Sequence, residues 1–576
     1  MKNILLICFL GSSAIGISQN NILITNPEAE AIVHGNYTPS NYQATTVIDS
    51  KTALTQGIND NVNADSLMAY IVRMGEFNTR NTGSDTVSTT SGIGAARRWA
   101  YDKFLSFSAA SENRLIVSYL QFDQDICAMA QHRNIFAVLP GRDTSNHQVI
   151  IIEGHFDSRC DVSCDTACLA QGMEDNATGS ALVLELARVM SKYTYNNTIV
   201  FMLTIGEEQG LYGANAFSQY SVDNSLPIKA VFNNDVVGGV ICGQTSSAPS
   251  CPGLNDVDSL AVRLFSKGSN TQHKQLARYT KLQYKEELLQ LVTIQMAIHI
   301  MSAEDRTGRG GDHIPFREDG FTAIRTTSAN EHGDASNAPG YSDRQHTSDD
   351  ILGIDTNGDQ IIDSFFVDFN YLGRNAVING VASAMVAIGP RTPDFQMISY
   401  TDTTITLTIT TETQYPQYRM ALRTVDNDWD TVYTTNNLVA TLQVDPANWN
   451  FLSVASVDSS GVESLFSNEV SVYSGWLETD ELDLPKANYE LLQNRPNPFD
   501  ESTIISVHVT DANDYKRAEI VVRDFNGSIV KALPIDLNKQ LNDVVYEHGY
   551  GATGIYSYSL VVDGIVVSTK RMIFAN

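Results

Sequence analysis

Charged residues, and positive ones in particular, are scarce in this sequence. Only 18% of the 576 residues are charged, and 38 lysines and arginines stand against 66 aspartates and glutamates, a net charge of −28. Such an acidic surface repels phosphate groups, which argues against nucleic acids and anionic membranes as partners. Beyond the N-terminal segment, no apolar run reaches the roughly 18 residues of a membrane-spanning helix. The length suggests three or four domains.

The N-terminal segment has the features of a secretory signal. Lys2 is followed by an apolar run from Ile4 to Leu10 and then by small residues up to Ser18. This pattern predicts a signal peptide over residues 1–19. We therefore expect an exported protein, secreted or at the cell surface, with no transmembrane span.

Cysteine is also rare. Outside the signal segment the cysteines are Cys127, Cys160, Cys164, Cys168, Cys242 and Cys251. An even number in an exported chain favours disulfides over a thiolate metal site. Cys242 and Cys251 close a short loop and form one expected pair, while the pairing of the others stays open.

A buried strand followed by two adjacent carboxylates is the most informative local pattern. Residues 198–205 are uncharged and rich in apolar and β-branched side chains, which predicts a strand buried on both faces of a sheet. Glu207 and Glu208 follow at its end. Neighbouring residues there point in different directions, so one carboxylate can hold a metal while the other faces a substrate. Ligands of open α/β sheets bind at the carboxyl ends of strands.

Further strands alternate with helices in the same part of the chain. Apolar runs predict strands at 134–139, 148–153 and 228–234, and a long amphipathic helix at 365–388. The alternation predicts an α/β domain. Three of the predicted strands lead into a carboxylate or a histidine, which indicates a site at one edge of the sheet.

Five residues near these strand ends and in loops have side chains that bind metals. They are His155, Asp175, Glu208, Asp235 and His346. Two imidazoles and three carboxylates suit zinc, and by ligand type alone also manganese or cobalt. If Asp175 bridges, each of two metals has three protein ligands. Asp157 is placed to accept the other N–H of His155, and Glu207 remains as the base for the attacking water.

Together these motifs resemble the secreted di-zinc aminopeptidase family, the bacterial leucyl-aminopeptidase-like zinc exopeptidases. The matching pieces are His155-x-Asp157, Asp175-Asn176-Ala-Thr-Gly179, Gly206-Glu-Glu208, Asp235 and His346-Thr347. The resemblance covers residues 62–390 and implies an α/β fold with a mixed, mostly parallel twisted sheet flanked by helices. It implies one zinc on His155, Asp175 and Asp235, and a second on Asp175, Glu208 and His346. Glu207 is then the general base, and His313 lies near the substrate pocket.

Residues 355–363 resemble a calcium loop of the EF-hand or dockerin type. The candidate ligands at alternate positions are Asp355, Asn357, Asp359, Ile361 and Asp363. The last ligand comes earlier than in an EF-hand, and an Asx-rich turn is the alternative. Calcium bound here is expected to be structural.

The rest of the chain is β-rich and predicts two small all-β sandwich modules. Residues 391–474 resemble a fibronectin type III domain, for which a spacer role is the simplest function. An acidic linker at 475–487 leads to residues 488–576, which resemble the C-terminal sorting domain of type IX secretion substrates. That resemblance implies the type IX machinery as a partner and passage through the outer membrane. Residues 20–61 are an N-terminal extension or a propeptide.

The expected function is a secreted zinc aminopeptidase that removes N-terminal residues from peptides. The first alternative is a carboxypeptidase of the same superfamily, in which proline typically follows the bridging aspartate, whereas Asn176 follows it here. A glutaminyl cyclase, which uses one zinc, lacks the Asp-Asn-Ala-Thr-Gly pattern. A non-catalytic surface-binding protein would not need Glu207 and the full ligand set. The zinc content of the protein, two ions, one or none, is a measurement that discriminates among these alternatives.

Overall fold

A computed structural model describes most of the chain. The described residues are 19–241, 256–268, 271–301, 303–305, 310–329, 344–401, 403–424, 428–444, 449–473, 489–510, 517–524, 529–548, 554–562 and 565–574. The predicted signal peptide (except its last residue), the predicted linker, and Cys242 and Cys251 with their expected pairing lie outside these ranges. Across the described part, no helix is both long and apolar enough to span a membrane.

The helices surround one large sheet. Their bounds are α1 Pro27–Val33, α2 Lys51–Asn61, α3 Ala64–Gly75, α4 Gly92–Ala110, α5 Ala177–Met190, α6 Tyr212–Asp223, α7 Gln272–Gln283, α8 His313–Glu318 and α9 Phe369–Ile388. Several begin at a capping side chain, as helix N-termini need acceptors for their free N–H groups. Asn63 accepts from the Ser66 amide, Asn176 from the Gly179 amide, and Asp368 from the amide of Tyr371.

The strands of the α/β part precede two groups of purely antiparallel strands. The first group comprises β1 Asn20–Ile24, β2 Ile116–Ile126, β3 Met129–Leu139, β4 Val149–His155, β5 Thr198–Thr204, β6 Ile228–Asn234, β7 Ala261–Phe265, β8 Ala297–Ile300 and β9 Ala323–Ser328. A small hairpin follows with β10 Gly353–Ile354 and β11 Ser364–Phe365.

The later strands form two β-sandwich modules. The first contains β12 Phe395–Tyr400, β13 Thr404–Ile409, β14 Gln417–Arg423, β15 Thr431–Thr435, β16 Val439–Gln443, β17 Trp449–Val457 and β18 Val470–Tyr473. The second contains β19 Tyr489–Leu491, β20 Ser502–Val509, β21 Ala518–Arg523, β22 Ile529–Pro534, β23 Leu541–Glu547, β24 Gly554–Val562 and β25 Ile565–Phe574. Each module pairs a three-stranded sheet with a four-stranded one.

The large sheet is mixed, with the strand order β1-β2-β3-β5-β4-β6-β9-β7-β8. The central strands β5, β4, β6 and β9 run parallel, and every residue of β4 and β5 is buried. β7 and β8 also pair in parallel, whereas β1 with β2, β2 with β3, β3 with β5 and β7 with β9 are antiparallel, so the expectation of a mostly parallel sheet holds only in part. β2 and β3 join through a tight hairpin, and hairpins force antiparallel pairing. Strand β2 was not predicted from the sequence.

The segment between residues 20 and 61 is built into this domain. Strand β1 pairs with β2 at the edge of the sheet. The buried Arg114 donates to the carbonyl oxygens of Tyr42, Ser191 and Tyr193 and so connects this segment to the end of α5. The segment is therefore an ordered part of the structure.

Helix α7 lies buried between the large sheet and the first β-sandwich. Gln275 donates to the carbonyl of Ser467 at 2.9 Å and the Tyr279 hydroxyl to that of Glu463 at 3.2 Å. Trp429 and Phe466 of the sandwich belong to the same apolar core as the α/β domain. The sandwich is thus packed against the α/β domain, and its spacer role stays a prediction.

A buried ion triad connects the two parts. Glu469 lies 3.1 Å from Nη1 of Arg278 on α7 and 2.6 Å from Nη2 of Arg423 on β14, and all three side chains are at most 2% exposed. Burial lowers the pKa of Arg278 to about 9. The carboxylate is the shared counter-charge of both guanidinium groups.

We predict that Glu469→Gln lowers the thermal unfolding midpoint markedly. The substitution removes the negative charge that both buried guanidinium groups contact, and breaking a buried ion pair in this way costs about 3–5 kcal/mol. Glu286→Gln, at a more exposed carboxylate that pairs with Arg419, is the control and should cost less than about 1 kcal/mol. Equal midpoints for both variants, measured by calorimetry, would contradict the assigned role of the triad.

Lys229 on β6 is a further buried cation of the α/β domain. Its Nζ donates to Asn197 Oδ1 at 3.2 Å and to the carbonyl oxygens of Val386 and Gly389 at 2.9 and 3.0 Å. Burial lowers the pKa of Lys229 to about 7. An unfolded lysine keeps its proton up to roughly pH 10.4.

We predict that stability relative to Lys229→Met rises between pH 7 and 10. In that window the unfolded chain binds a proton that the folded chain has released, so raising the pH favours folding by up to about 1.4 kcal/mol per pH unit. Below pH 7 the full cost of the buried charge is present. Denaturant unfolding of both variants measures the difference, and a difference that does not change with pH refutes the assignment.

Candidate metal centre

The five predicted ligands meet at the carboxyl edge of the parallel strands. His155 ends β4, Glu208 follows β5, and Asp235 follows β6, because neighbouring parallel strands end at the same edge. Asp175 lies two residues before α5, and His346 comes from the loop that precedes β10. Residues far apart in the chain therefore converge through sheet topology.

The carboxylate of Asp175 lies between the two histidines. Its Oδ1 is 3.0 Å from Nε2 of His155, and its Oδ2 is 3.1 Å from Nε2 of His346. Asp235 Oδ1 lies 3.3 Å from His155, and Glu208 Oε2 lies 3.1 Å from His346. The arrangement gives two ligand groups that share one carboxylate.

Glu207 and Glu208 diverge as expected of neighbours at a strand end. Ligand atoms of His155, Glu207 and Asp235 lie within 4.8 Å of one another, as do those of His155, Asp175 and Glu208. Glu207 therefore borders the first ligand group and Glu208 belongs to the second.

Asp157 organises the turn that carries the glutamate pair. Its carboxylate accepts from the amides of Glu207 and Glu208 at 3.3 and 3.2 Å and from the Thr82 hydroxyl at 3.2 Å. Nδ1 of His155 lies 3.1 Å from the Asp157 carbonyl oxygen and 3.6 Å from its carboxylate. The imidazole N–H thus has its acceptor on the Asp157 backbone, with the side chain further away than the sequence suggested.

The donor set fits a divalent cation. The buried Glu208 Oε1 accepts no hydrogen bond, and an unpaired carboxylate oxygen away from water is costly. Burial, reinforced by Asp235 and Glu208 and opposed by His155, raises the pKa of Glu207 well above its ordinary value. A cation bound among these carboxylates would offset their repulsion and lower that pKa again.

Two residues that the sequence reading missed hold the ligand loops in place. Arg80 is fully buried and donates to the carbonyl oxygens of Phe156 and Gly172, on either side of the centre. Asp350 accepts from the amides of Glu174 and Asp175 at 2.8 and 3.0 Å. Arg80 and Asp350 both lie in polar loops, whose sequences have no hydrophobic periodicity that would single them out. The only signal in the sequence was that Asp350 follows the predicted ligand His346 by four residues.

His313 is connected to the ligand Asp235 through Asp305 and Arg325. It is fully buried at the start of α8, and its Nε2 is 2.9 Å from the Glu304 carbonyl oxygen. Asp305 lies 4.0 Å away and pairs with Arg325, which in turn pairs with Asp235 at 2.9 Å. The proposed contact of His313 with substrate stays a prediction.

Asp312, which precedes His313, is a further buried carboxylic acid near the ligands. Thr204 at the end of β5 donates to its carboxylate, and burial raises the pKa of Asp312 to about 7. A carboxyl group with a raised pKa carries less negative charge at neutral pH than an ordinary aspartate.

The cysteines near the centre are oxidised. Cys127 pairs with Cys164 and Cys160 with Cys168, which confirms disulfides over a thiolate metal site. Both bonds tether the loop that follows Ser158.

In the predicted calcium loop, the oxygens bind the backbone. Asp355 accepts from the amides of Asn357, Gly358 and Gln360, and Asp359 accepts from that of Ile361. Asp363 accepts from the Thr356 amide. This is the pattern of an Asx-rich turn, and calcium binding stays a prediction.

Comparison with known proteins identifies the family. The model of Peptidase family M28 matches residues 134–368, the stretch that carries all five ligands. A probable zinc metalloprotease of Leptosphaeria maculans is 30% identical over 56% of this chain and 74% of its own length. The chain belongs to peptidase family M28. A second relative, a probable zinc metalloprotease of Pyrenophora tritici-repentis, is also 30% identical over 59% of this chain and 77% of its own length.

Solved structures resemble the M28 chain more distantly. The LapA aminopeptidase of Legionella pneumophila has a TM-score of 0.43 at 16% identity, over 61% of this chain and 78% of that one. The glutaminyl cyclase of Tannerella forsythia has a TM-score of 0.37 at 14% identity, over 57% of this chain and all of that one. At these scores neither bears on activity. Family membership itself confirms the peptidase expected from the motifs.

We predict that Asp157→Asn lowers the metal affinity of the centre about 10- to 100-fold, the range for residues that orient ligands. Because the amides of Glu207 and Glu208 bind different oxygens of Asp157, the NH2 group of an asparagine would face one of these two N–H groups, which would lose its acceptor. Zinc titration against a competing chelator measures the change. Asp143→Asn, at a turn carboxylate that accepts from Ser145, is the control, and an equal affinity in both variants would contradict this role.

Proposed function

We propose that this M28 peptidase is a zinc-dependent aminopeptidase with two zinc ions. The observation that carries the proposal is the Asp175 carboxylate, with one oxygen toward each histidine. Two metals that share a carboxylate need this geometry. The zinc metalloprotease names of the relatives support the choice of metal.

The ligand roles follow from the two groups. His155, Asp175 and Asp235 would hold one zinc, and Asp175, Glu208 and His346 the other. Zinc at such a centre polarises a substrate carbonyl and makes water more acidic.

Glu207 is the proposed general base. Its carboxylate borders the first ligand group without being needed as a ligand. It takes a proton from the attacking water and later passes that proton to the nitrogen of the leaving amine. The Asp157 carboxylate accepts the Glu207 amide and so fixes the position of this base.

Aminopeptidase action is favoured over carboxypeptidase action by the residue that follows Asp175. Asn176 stands there in place of the proline typical of the carboxypeptidase branch, and its side chain caps α5.

We further propose that the enzyme is exported and then crosses the outer membrane through the type IX machinery. The signal pattern of residues 1–19 and the resemblance of residues 488–576 to a sorting domain support this route. Two disulfides beside the centre fit an oxidising compartment. We also propose that the first sandwich is a fibronectin type III-like domain. Residues 355–363 are proposed to bind a structural calcium ion.

We predict that Glu207→Gln retains both zinc ions and loses at least about 100-fold in turnover, because removing a general base costs roughly 10²–10⁴-fold. Mass analysis of one peptide with a free and with an acetylated N-terminus measures the products. Stepwise loss from the free N-terminus alone, abolished by chelator and restored by zinc, is expected of the wild type.

Other outcomes reject specific parts of the proposal. Trimming from the C-terminus would move the enzyme to the carboxypeptidase branch. Normal turnover by the Gln variant would refute the role of Glu207. Asp223→Asn, on the exposed end of α6, is a matched control that should leave turnover unchanged.

A further inference from the structure

Arg159 contacts both ligands that belong only to the second zinc. Its Nε donates to Glu208 Oε2 at 2.8 Å, and its Nη2 lies 2.7 Å from Nδ1 of His346. Arg159 follows Ser158 in the loop after β4, and its side chain is 20% exposed. It is thus the cation at the outer side of the second ligand group.

The contact with His346 determines the role of each ring nitrogen. An arginine can only donate, so Nδ1 of His346 must be the acceptor. A neutral imidazole carries one N–H, which then sits on Nε2, the nitrogen that faces Asp175 and Glu208. A histidine that binds a metal normally donates from its other nitrogen.

His155 has the opposite arrangement. Its Nδ1 faces the carbonyl oxygen of Asp157, an acceptor, so Nδ1 is the nitrogen that keeps the N–H when Nε2 binds a metal. The two histidines of the centre are therefore not equivalent: one is preset for a metal and the other is held in the competing tautomer.

We propose that Arg159 competes with the second metal and makes the Asp175–Glu208–His346 site the weaker of the two. The inference rests on the proposed two-zinc centre. Metal on Nε2 of His346 moves the ring proton to Nδ1, where it meets the N–H of Arg159. The guanidinium must then leave, and its positive charge beside Glu208 opposes the incoming cation in addition.

The loop around Arg159 allows this exchange. Nη1 donates to the carbonyl oxygens of Cys160 and Asp161 at 3.3 and 3.2 Å, so the side chain is held from the loop itself. The Cys160–Cys168 disulfide fixes that loop. The partial exposure of the side chain gives the guanidinium a path to water without unfolding the loop.

The test is a zinc titration of the full chain against a competing chelator, with stoichiometry from elemental analysis. We expect one tight and one weaker zinc in the wild type. Arg159→Met should tighten the weaker zinc about tenfold or more, the effect of one charge-assisted hydrogen bond, and leave the tight zinc unchanged. Arg133→Met, at an arginine that donates to Gln121, is the control and should change neither.

The site assignment and the two proposals can be separated. His346→Ala should abolish the weaker zinc only. Two zinc ions in the wild type and in Arg159→Met, with the weaker one unchanged or weakened by the substitution, overturn the role of Arg159 alone. One zinc in the wild type and two in Arg159→Met supports competition in its strongest form. One zinc in both refutes the two-zinc centre itself.

Discussion

The structure around the centre depends on the cost of placing several carboxylates in one buried space. Asp175 lies between two imidazoles, Asp235 is paired with Arg325, and Asp157 is satisfied by backbone amides. These three carboxylates thus have compensating partners, whereas Oε1 of Glu208 accepts no hydrogen bond, and burial beside Asp235 and Glu208 raises the pKa of Glu207. This excess of carboxylates favours a bound cation at the centre, and the peptidase chemistry follows from it.

Much of this centre was accessible from the sequence because its ligands follow strands. Thr198–Thr204 is uncharged throughout, so its burial was predictable, and the position of Glu207 and Glu208 at its end followed. The loop residues were different. Arg80, Asp350 and Arg159 act through contacts with backbone or side chains far away in the chain, and an isolated arginine in a polar loop looks like any solvated one.

The large sheet could likewise be predicted only in part. The parallel centre was expected from alternating strands and helices, whereas β2 was missed because its residues 116–126 mix buried and half-buried positions without a simple period. Helix α7 was missed for a related reason. Its sequence is that of a surface helix, polar on most sides, and only the sandwich that covers it turns those polar side chains inward.

That composition gives the junction with the first sandwich a mixed character. If the two bodies separated, Gln275 and Arg278 would become hydrated, as on any soluble helix. Trp429 and Phe466, whose rings lie 4.3 Å apart, share one apolar core with the α/β domain, so separation would expose apolar surface on both sides. Proteolysis at this junction would thus release two fragments that each carry an apolar patch prone to association.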